Sequence, residues 1–275
     1  MSNIFICSLA EYPNSFDAVL EYAKEHRYNL EISTFASPRI LDTNWQEVLK
    51  DYQRKLHEFK GAISTHGAYW DLIIRSVDEK IREVTEQRIF QSLEIARELK
   101  AKRTVFHLNF NWIRRLEGYK LKWIEQNASF WSEVLEKYPS STVVLENTYD
   151  FTPEMLRTLL DEVNSPRLKV CLDVGHINVW SRVPVEEWIA VLGEAIRSIH
   201  VSDNKGDLDS HLALGKGTIN WQELSDLIAK YQIDPDIVFE VGVYGQEPLE
   251  ATIQSLKYFR EENIYPCNTF AGDCI

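Results

Sequence analysis

One polar loop of the chain carries metal-ligand side chains at close spacing. His200 ends a short apolar segment, and Asp209 and His211 lie two residues apart in the loop that follows it. Imidazole nitrogens and carboxylate oxygens are ligands for zinc, manganese and iron(II). Histidine and aspartate are also common in loops that bind nothing. This loop therefore indicates a metal site only if further ligands come from other parts of the chain.

Residues of the same chemistry recur at the ends of other apolar segments. They are His66, His107, Glu146, Asp173, His176 and Glu240. Glu146 follows Val-Val-Leu and Glu240 follows Ile-Val-Phe, so both carboxylates come at the end of a core-type strand. Burying a carboxylate is costly unless a cation or another charge accompanies it. Any one of these residues is more often an ordinary hydrogen-bonded group, but together with the loop they predict a metal site.

The segments that carry these residues alternate with amphipathic helical segments. The predicted strands are residues 3–8, 29–34, 61–66, 104–109, 142–147, 168–173, 198–202 and 237–241. A helical pattern follows each strand, and Thr152 is predicted to cap the helix that starts at Pro153. This alternation predicts an α/β fold, a (β/α)8 TIM barrel with parallel strands, formed by a single domain over residues 1–265. Residues 266–275 are interpreted as a C-terminal tail.

The barrel has one structural alternative, a doubly wound open sheet. No GxGxxG phosphate loop follows the first strand, and eight strand–helix units of roughly 30 residues fill the 275-residue chain, so the barrel is favoured. In a barrel the C-terminal ends of all strands form one face, where active sites are built. The predicted ligands would therefore meet on that face.

Composition excludes several classes of protein. The formal net charge of -12 and the pI near 5.1 argue against binding nucleic acid through bulk electrostatics. No apolar run is long enough for a membrane helix, and the N-terminus lacks a signal-peptide pattern. Cys7 and Cys171 lie inside apolar strand patterns and are predicted to be reduced core residues. We expect a cytoplasmic protein, and a homo-oligomer is compatible with the sequence.

Three motifs resemble one known superfamily. They are Val144-Leu-Glu146-Asn, Leu172-Asp173-Val-Gly-His176, and His200-Val-Ser-Asp-Asn followed by Asp209-Ser-His211-Leu-Ala-Leu-Gly-Lys-Gly-Thr-Ile-Asn-Trp221. Over about residues 3–262 the chain resembles the xylose isomerase-like barrels, which contain sugar isomerases, sugar epimerases and endonuclease IV. The motifs are specific for the superfamily and poorly specific for one reaction.

The resemblance to the epimerases implies one divalent metal (Mn, Zn, Co or Mg) held by Glu146, Asp173, His200 and Glu240. It also implies that the two glutamates act as an acid/base pair on a small carbohydrate. The expected function is then that of a metal-dependent sugar or sugar-phosphate isomerase or epimerase, which works by proton transfer through an enediolate. In this interpretation the substrate-binding residues are His66, His107 and His176. Trp112 follows the fourth strand and either stacks on the sugar ring as a further substrate-binding residue or packs between helices.

The resemblance to endonuclease IV implies a different site and a zinc-dependent phosphodiester hydrolase. Its three-zinc cluster would add the ligands His66, His107, His176, Asp209 and His211. The motifs His107-Leu-Asn and Asp173-Val-Gly-His176 depart from the nuclease pattern, whereas His66-Gly-Ala-Tyr69 agrees with it. These departures favour the isomerase or epimerase, and nucleic acid is not the expected partner.

Two weaker features leave alternatives open. Gly215-Lys-Gly217 either brings backbone N–H groups to an anion or simply makes a turn. A basic group follows the fourth strand and either holds a phosphate or starts a solvated helix. Its members are Arg114, Arg115, Lys120 and Lys122.

Overall fold

Eight parallel strands form a closed barrel in which each strand pairs with the next and the eighth returns to the first. A computed structural model describes residues 3–10, 12–114, 116–242 and 247–264. The strands are Ile4–Ser8 (β1), Asn29–Ile32 (β2), Ile63–His66 (β3), Thr104–His107 (β4), Val143–Glu146 (β5), Leu168–Asp173 (β6), Ile196–Val201 (β7) and Asp236–Phe239 (β8). The predicted (β/α)8 barrel is confirmed, and the open-sheet alternative is wrong.

Helices cover the outside of the barrel. They are Phe16–His26 (α1), Pro38–Leu41 (α2), Trp45–Lys55 (α3), Glu79–Glu98 (α4), Tyr119–Lys137 (α5), Glu154–Val163 (α6), Val174–Trp180 (α7), Val185–Leu192 (α8), Trp221–Lys230 (α9) and Pro248–Glu261 (α10). The short helices α2 and α7 were not predicted as separate elements. The predicted cap of α6 is wrong, because Pro153 takes the N-cap position and the buried Thr152 hydroxyl has no hydrogen-bond partner among the described residues.

Side-chain alternation along the strands separates two apolar regions. One set of strand residues, such as Ile4 and Ile6, packs against the helices in the large core. The other set fills the barrel interior, where Phe5, Cys7 and Val238 form one small cluster. A second small cluster contains Val105, Val144 and Cys171. Because successive side chains point to opposite faces of a strand, the residue two positions after an interior one also points inward.

This rule places the ligand-type residues. Val144, Cys171 and Val238 are interior residues, so Glu146, Asp173 and Glu240 follow them into the top of the barrel. Cys7 and Cys171 are buried free thiols, as predicted.

A buried ion pair closes the opposite end of the barrel. Arg103 immediately precedes β4, and its Nη1 donates to Oδ2 of Asp236, the first residue of β8. The Arg103 guanidinium also lies 4.5 Å from the centre of the Phe5 ring. The barrel therefore has a charged base that is separate from the strand ends where the ligands lie.

Two further predictions concern the chain as a whole. The predicted tail, residues 266–275, lies outside the described residues. Among the helices in the described ranges, none combines the length and the hydropathy that a membrane crossing requires.

Candidate metal centre

All nine predicted ligands lie at the C-terminal ends of the strands or in the segments just beyond them, with His176 in α7. In three groups, one nitrogen or oxygen atom from each residue lies within 4.8 Å of the corresponding atoms of the others. The groups are Glu146, Asp173, His200 and Glu240; His66, His107 and Glu146; and His176, Asp209 and His211. Glu146 belongs to two groups, so the first two share a carboxylate.

The four-residue group lies deepest. His200 is fully buried, and its Nδ1 lies 3.0 Å from Glu240 Oε2 and 3.3 Å from Glu146 Oε1. Asp173 Oδ2 lies 4.0 Å from the same nitrogen. Its other oxygen, Oδ1, accepts the backbone N–H of His176 and so caps α7. Three carboxylates thus converge on one imidazole nitrogen.

The second group uses the other oxygen of the shared carboxylate. Glu146 Oε2 lies 3.1 Å from His66 Nε2 and 3.4 Å from His107 Nε2. The Tyr69 ring stacks on His107 with 4.5 Å between ring centres, and it meets His66 edge-on at 5.1 Å. These contacts fix both imidazoles beside Glu146. The Glu146 carboxylate can therefore contribute one oxygen to each of the first two ligand groups.

The third group belongs to α7 and to the loop after β7. Asp209 Oδ2 lies 3.2 Å from His176 Nε2 and 3.2 Å from His211 Nε2. His211 has a left-handed backbone with φ 44°, which is uncommon for a residue other than glycine. Its N–H at Nδ1 donates to the Glu240 carbonyl oxygen at 2.9 Å, so the loop is tied to the end of β8.

Electrostatics show that these carboxylates favour positive charge beside them. Burial alone would lower the pKa of His211, but its bond to Asp209 raises that pKa to about 10. The pKa of His200 is also well above its usual value, although burial opposes the shift, because carboxylates surround it. In contrast, burial lowers the pKa of His107 to about 3. For Asp173, burial raises the pKa to about 6.

The donor set suits a divalent cation such as zinc or manganese. Asp173 Oδ2, His200 Nδ1 and Asp209 Oδ1 are buried and have no hydrogen-bond partner in the part of the chain that the structure describes. Buried polar atoms without partners are rare and costly. Each of them belongs to one of the three groups and contributes the oxygen or nitrogen chemistry that these metals bind.

A buried aspartate organises the loop after β7, and sequence reasoning missed it. The Asp203 carboxylate accepts the N–H groups of Asn204, Gly215 and Ile219 at 2.9 to 3.3 Å and the Trp221 indole N–H at 3.2 Å. The anion that these backbone N–H groups bind is therefore the carboxylate of Asp203, a residue of the protein itself. A Cβ atom at Gly217 would lie 2.2 Å from the Asp203 carboxylate, so only glycine fits there.

Glu31 is a second buried carboxylate that the prediction did not assign to the site. It lies inside the barrel on β2, where Ser64 of β3 is its register partner and donates to its Oε2 at 2.7 Å. Its Oε1 lies 2.9 Å from His200 Nε2. Burial would raise the pKa of Glu31, but the charge of His200 lowers it to about 2. The Asn-Leu-Glu31 strand pattern was a usable signal, because a charged residue inside an apolar strand needs a partner.

Trp112 has a different environment from the other predicted residues. Its indole N–H donates to the buried Asp150 carboxylate at 2.7 Å, and its ring packs on Phe151. No described contact joins it to the three groups. It lines a groove with a cavity volume of about 350 Å³ together with Phe110 and Tyr119.

The predicted basic group is engaged in local contacts. Lys120 pairs with Glu154 at 3.0 Å, and the Arg114 guanidinium lies 5.4 Å from the centre of the Tyr119 ring. Lys122 is exposed near the start of α5, and Arg115 lies outside the described residues.

Comparisons with known proteins agree with this fold. The chain is 28% identical over 251 residues to the uncharacterized protein MJ1311 of Methanocaldococcus jannaschii, covering 86% of this chain and 82% of that protein. It is similar to the structure of the TTHB071 protein from Thermus thermophilus soaked with ZnCl2, at 25% identity and TM-score 0.72, over 94% of this chain and 98% of that one.

The similar structures include sugar epimerases. D-Psicose 3-epimerase from Clostridium cellulolyticum, crystallised with D-tagatose, aligns at TM-score 0.73 and 16% identity over 95% of this chain and 99% of that one. At that identity the likeness shows the shared fold alone. Residues 12–262 match the family described as xylose isomerase-like TIM barrel. The chain belongs to the xylose isomerase-like TIM barrel family.

Proposed function

We propose that the protein is a divalent-metal-dependent isomerase or epimerase of a small sugar or sugar phosphate. The observation that carries this proposal is the convergence of Glu146 and Glu240 on one nitrogen of His200, at 3.3 and 3.0 Å, from two strands that are not neighbours. Two carboxylates placed in this way can face a substrate carbon from two sides. Its family and the sugar epimerases among its structural neighbours support the same class of reaction.

The glutamates would perform the proton transfer. A cation held by Glu146, Asp173, His200 and Glu240 would supply Lewis acidity next to a carbonyl group. One glutamate removes the proton from the carbon beside that carbonyl, which leaves an enediolate, and the other glutamate or the same one returns it. Positioned proton transfer of this kind contributes about 10²–10⁴-fold to the rate.

Neighbouring side chains would hold the sugar. His176, His66 and His107 lie around Glu146 and would offer ring nitrogens to hydroxyl groups. Trp112 lines a groove outside the three groups, and its proposed role is to stack its ring on the sugar at the edge of the site.

Solvent deuterium exchange tests this function. Wild-type protein with added Mn²⁺ or Co²⁺ should incorporate deuterium at a carbon of one member of a ketose and ketose-phosphate panel, followed by NMR in D₂O. Glu240→Gln should reduce that exchange by at least about 10²-fold, because a neutral amide cannot accept the proton. Undiminished exchange in this variant would exclude Glu240 as an acid/base residue.

A second function is favoured by a specific observation. Nine ligand-type residues form three adjacent groups, and Glu146 is shared between two of them. A bridging carboxylate is typical of multinuclear centres, which hydrolyse phosphodiesters with clustered zinc ions. In such a centre Glu146 would be a ligand in two groups and would not be available as a proton acceptor, so the two functions assign it incompatible roles.

Metal content separates the two functions. The isomerase predicts about one tightly bound metal per chain that remains in His211→Ala. The hydrolase predicts about three, with a loss in that variant. Elemental analysis of both proteins, purified without chelator, gives the count. Three zinc ions together with cleavage of abasic duplex DNA would overturn the isomerase proposal.

A further inference from the structure

Three of the five histidines in the site share one orientation. In these three the Nδ1–H group donates to a backbone carbonyl oxygen, which leaves Nε2 facing a carboxylate of the site. The pairs are His66 with Gly67 (2.9 Å), His176 with Asn147 (2.7 Å) and His211 with Glu240 (2.9 Å). Because a carbonyl oxygen only accepts, each of these rings must carry a proton on Nδ1.

His200 has the opposite orientation. Its Nδ1 faces Glu146 and Glu240, and its Nε2 faces the Glu31 carboxylate at 2.9 Å. This contact has hydrogen-bond length but lies outside regular hydrogen-bond angles, and neither atom has another hydrogen-bond partner among the described residues. Glu31 is itself held from the other side by the Ser64 hydroxyl.

We infer that Glu31 is a positioning residue that keeps the proton of His200 on Nε2 and so presents Nδ1 as a ligand. A carboxylate behind a ligating imidazole fixes its tautomer and raises its basicity, and the loss of such a partner typically lowers metal affinity about 10–100-fold. His66, His176 and His211 are instead backed by neutral carbonyl oxygens. The four-residue group containing His200 therefore fills first, before the two other groups.

This inference rests on the metal-binding part of the proposed function. The test uses Glu31→Gln, which keeps the size of the side chain and an oxygen that can accept from His200 but removes the charge. Affinity for Zn²⁺ is measured by chelator competition at the tightest site. We expect a decrease of about 10–100-fold in Glu31→Gln and a smaller decrease in Ser64→Ala, which leaves the Glu31 carboxylate in place.

Asp150→Asn is the matched control. Asp150 is another buried carboxylate on the same face, but its oxygens accept from Trp112 and from the Thr148 backbone instead of a ligand histidine. Its substitution should leave the affinity of the tightest site unchanged. An equal loss in Asp150→Asn and Glu31→Gln would show a general effect of buried charge and would overturn the inference.

The tautomer gives a readout that mere loss of structure does not mimic. In ¹⁵N-histidine NMR of the Zn²⁺-loaded wild type, His200 should carry its proton on Nε2, whereas His66, His176 and His211 carry theirs on Nδ1. The spectrum of the wild type alone shows which nitrogen of His200 carries the proton, so this measurement does not depend on whether Glu31→Gln folds. A proton on His200 Nδ1, or unchanged affinity in a folded Glu31→Gln, overturns the role of Glu31. A wild type that binds no metal contradicts the proposed function instead.

Discussion

Burial makes each carboxylate of the site costly unless positive charge lies beside it. Asp173 shows this most directly, because it is fully buried, one of its oxygens has no hydrogen-bond partner in the described ranges, and burial raises its pKa to about 6. Asp209 shows the reverse. Burial would raise its pKa, but bonds from His176 and His211 hold it far below the usual value. At the scale of single residues, the charge of Asp209 is balanced by histidines, whereas the charge of Asp173 is penalised by burial and would be relieved by a bound cation.

Asp173→Asn should therefore have opposite effects on two properties: it should reduce metal binding and increase the stability of the metal-free protein. The amide oxygen can still cap α7, but the charge is lost, so bound metal should fall. The folded pKa of Asp173 is raised to about 6, above its unfolded value of about 3.9, so the contribution of this residue to the stability of the metal-free wild type falls as pH rises from about 4 to 6. Relative to the wild type, the variant should gain up to about 3 kcal/mol across that range.

Denaturant unfolding of both metal-free proteins at pH 4.5 and pH 7.5 measures this difference, and elemental analysis measures the metal. Wild-type metal content in the variant would show that Asp173 is not a ligand. A stability difference that does not change with pH would show that the carboxylate is not penalised by burial.

At the scale of elements, strand alternation explains how much of the site the sequence predicted. Glu146 and Asp173 follow apolar strand residues at even spacing, so their inward direction was readable. Other contacts around the site were not readable from the sequence. Strand register places Ser64 beside Glu31, and a loop hydrogen bond joins the Gly215 N–H group to Asp203. Such contacts join residues far apart in sequence, and no local pattern specifies them.

The loop after β7 provides the prediction at this scale. Each oxygen of Asp203 accepts two N–H groups, so Asp203→Asn must turn an NH₂ group toward two donors. Leaving buried donors unsatisfied costs about 1–3 kcal/mol each. We expect faster hydrogen exchange of either the Gly215 amide or the Ile219 amide, whichever faces the new NH₂ group, because the two amides bind different oxygens of Asp203. Asp207→Asn, an exposed residue of the same loop, is the control and should leave both amides protected.

At the scale of the whole molecule, the two ends of the barrel have different tasks. The C-terminal end gathers the ligand groups, and the N-terminal end carries the buried pair of Arg103 and Asp236. In barrels of this type, residues at the C-terminal face serve catalysis and those at the opposite face serve stability. Glu31 is buried on β2 and contacts His200, and the charge of Arg103 also lowers its pKa, so it is a polar side chain that could couple the two ends.

The base of the barrel should therefore be separable from the metal centre by substitution. Asp236→Asn leaves the buried Arg103 guanidinium without its countercharge, which should cost about 3–5 kcal/mol of unfolding free energy. Arg197→Ala is the control, because Arg197 contacts the same carboxylate at 3.4 Å but is 43% exposed, so its removal should cost less than about 1 kcal/mol. The double variant Arg103→Met with Asp236→Leu should recover much of the loss, because apolar side chains can replace a buried ion pair.

The Zn²⁺ affinity of the tightest site should remain at the wild-type value in all folded variants. A fall in that affinity without a fall in stability would mean that the charged base acts on the metal centre through Glu31, and the division between the two ends would be wrong.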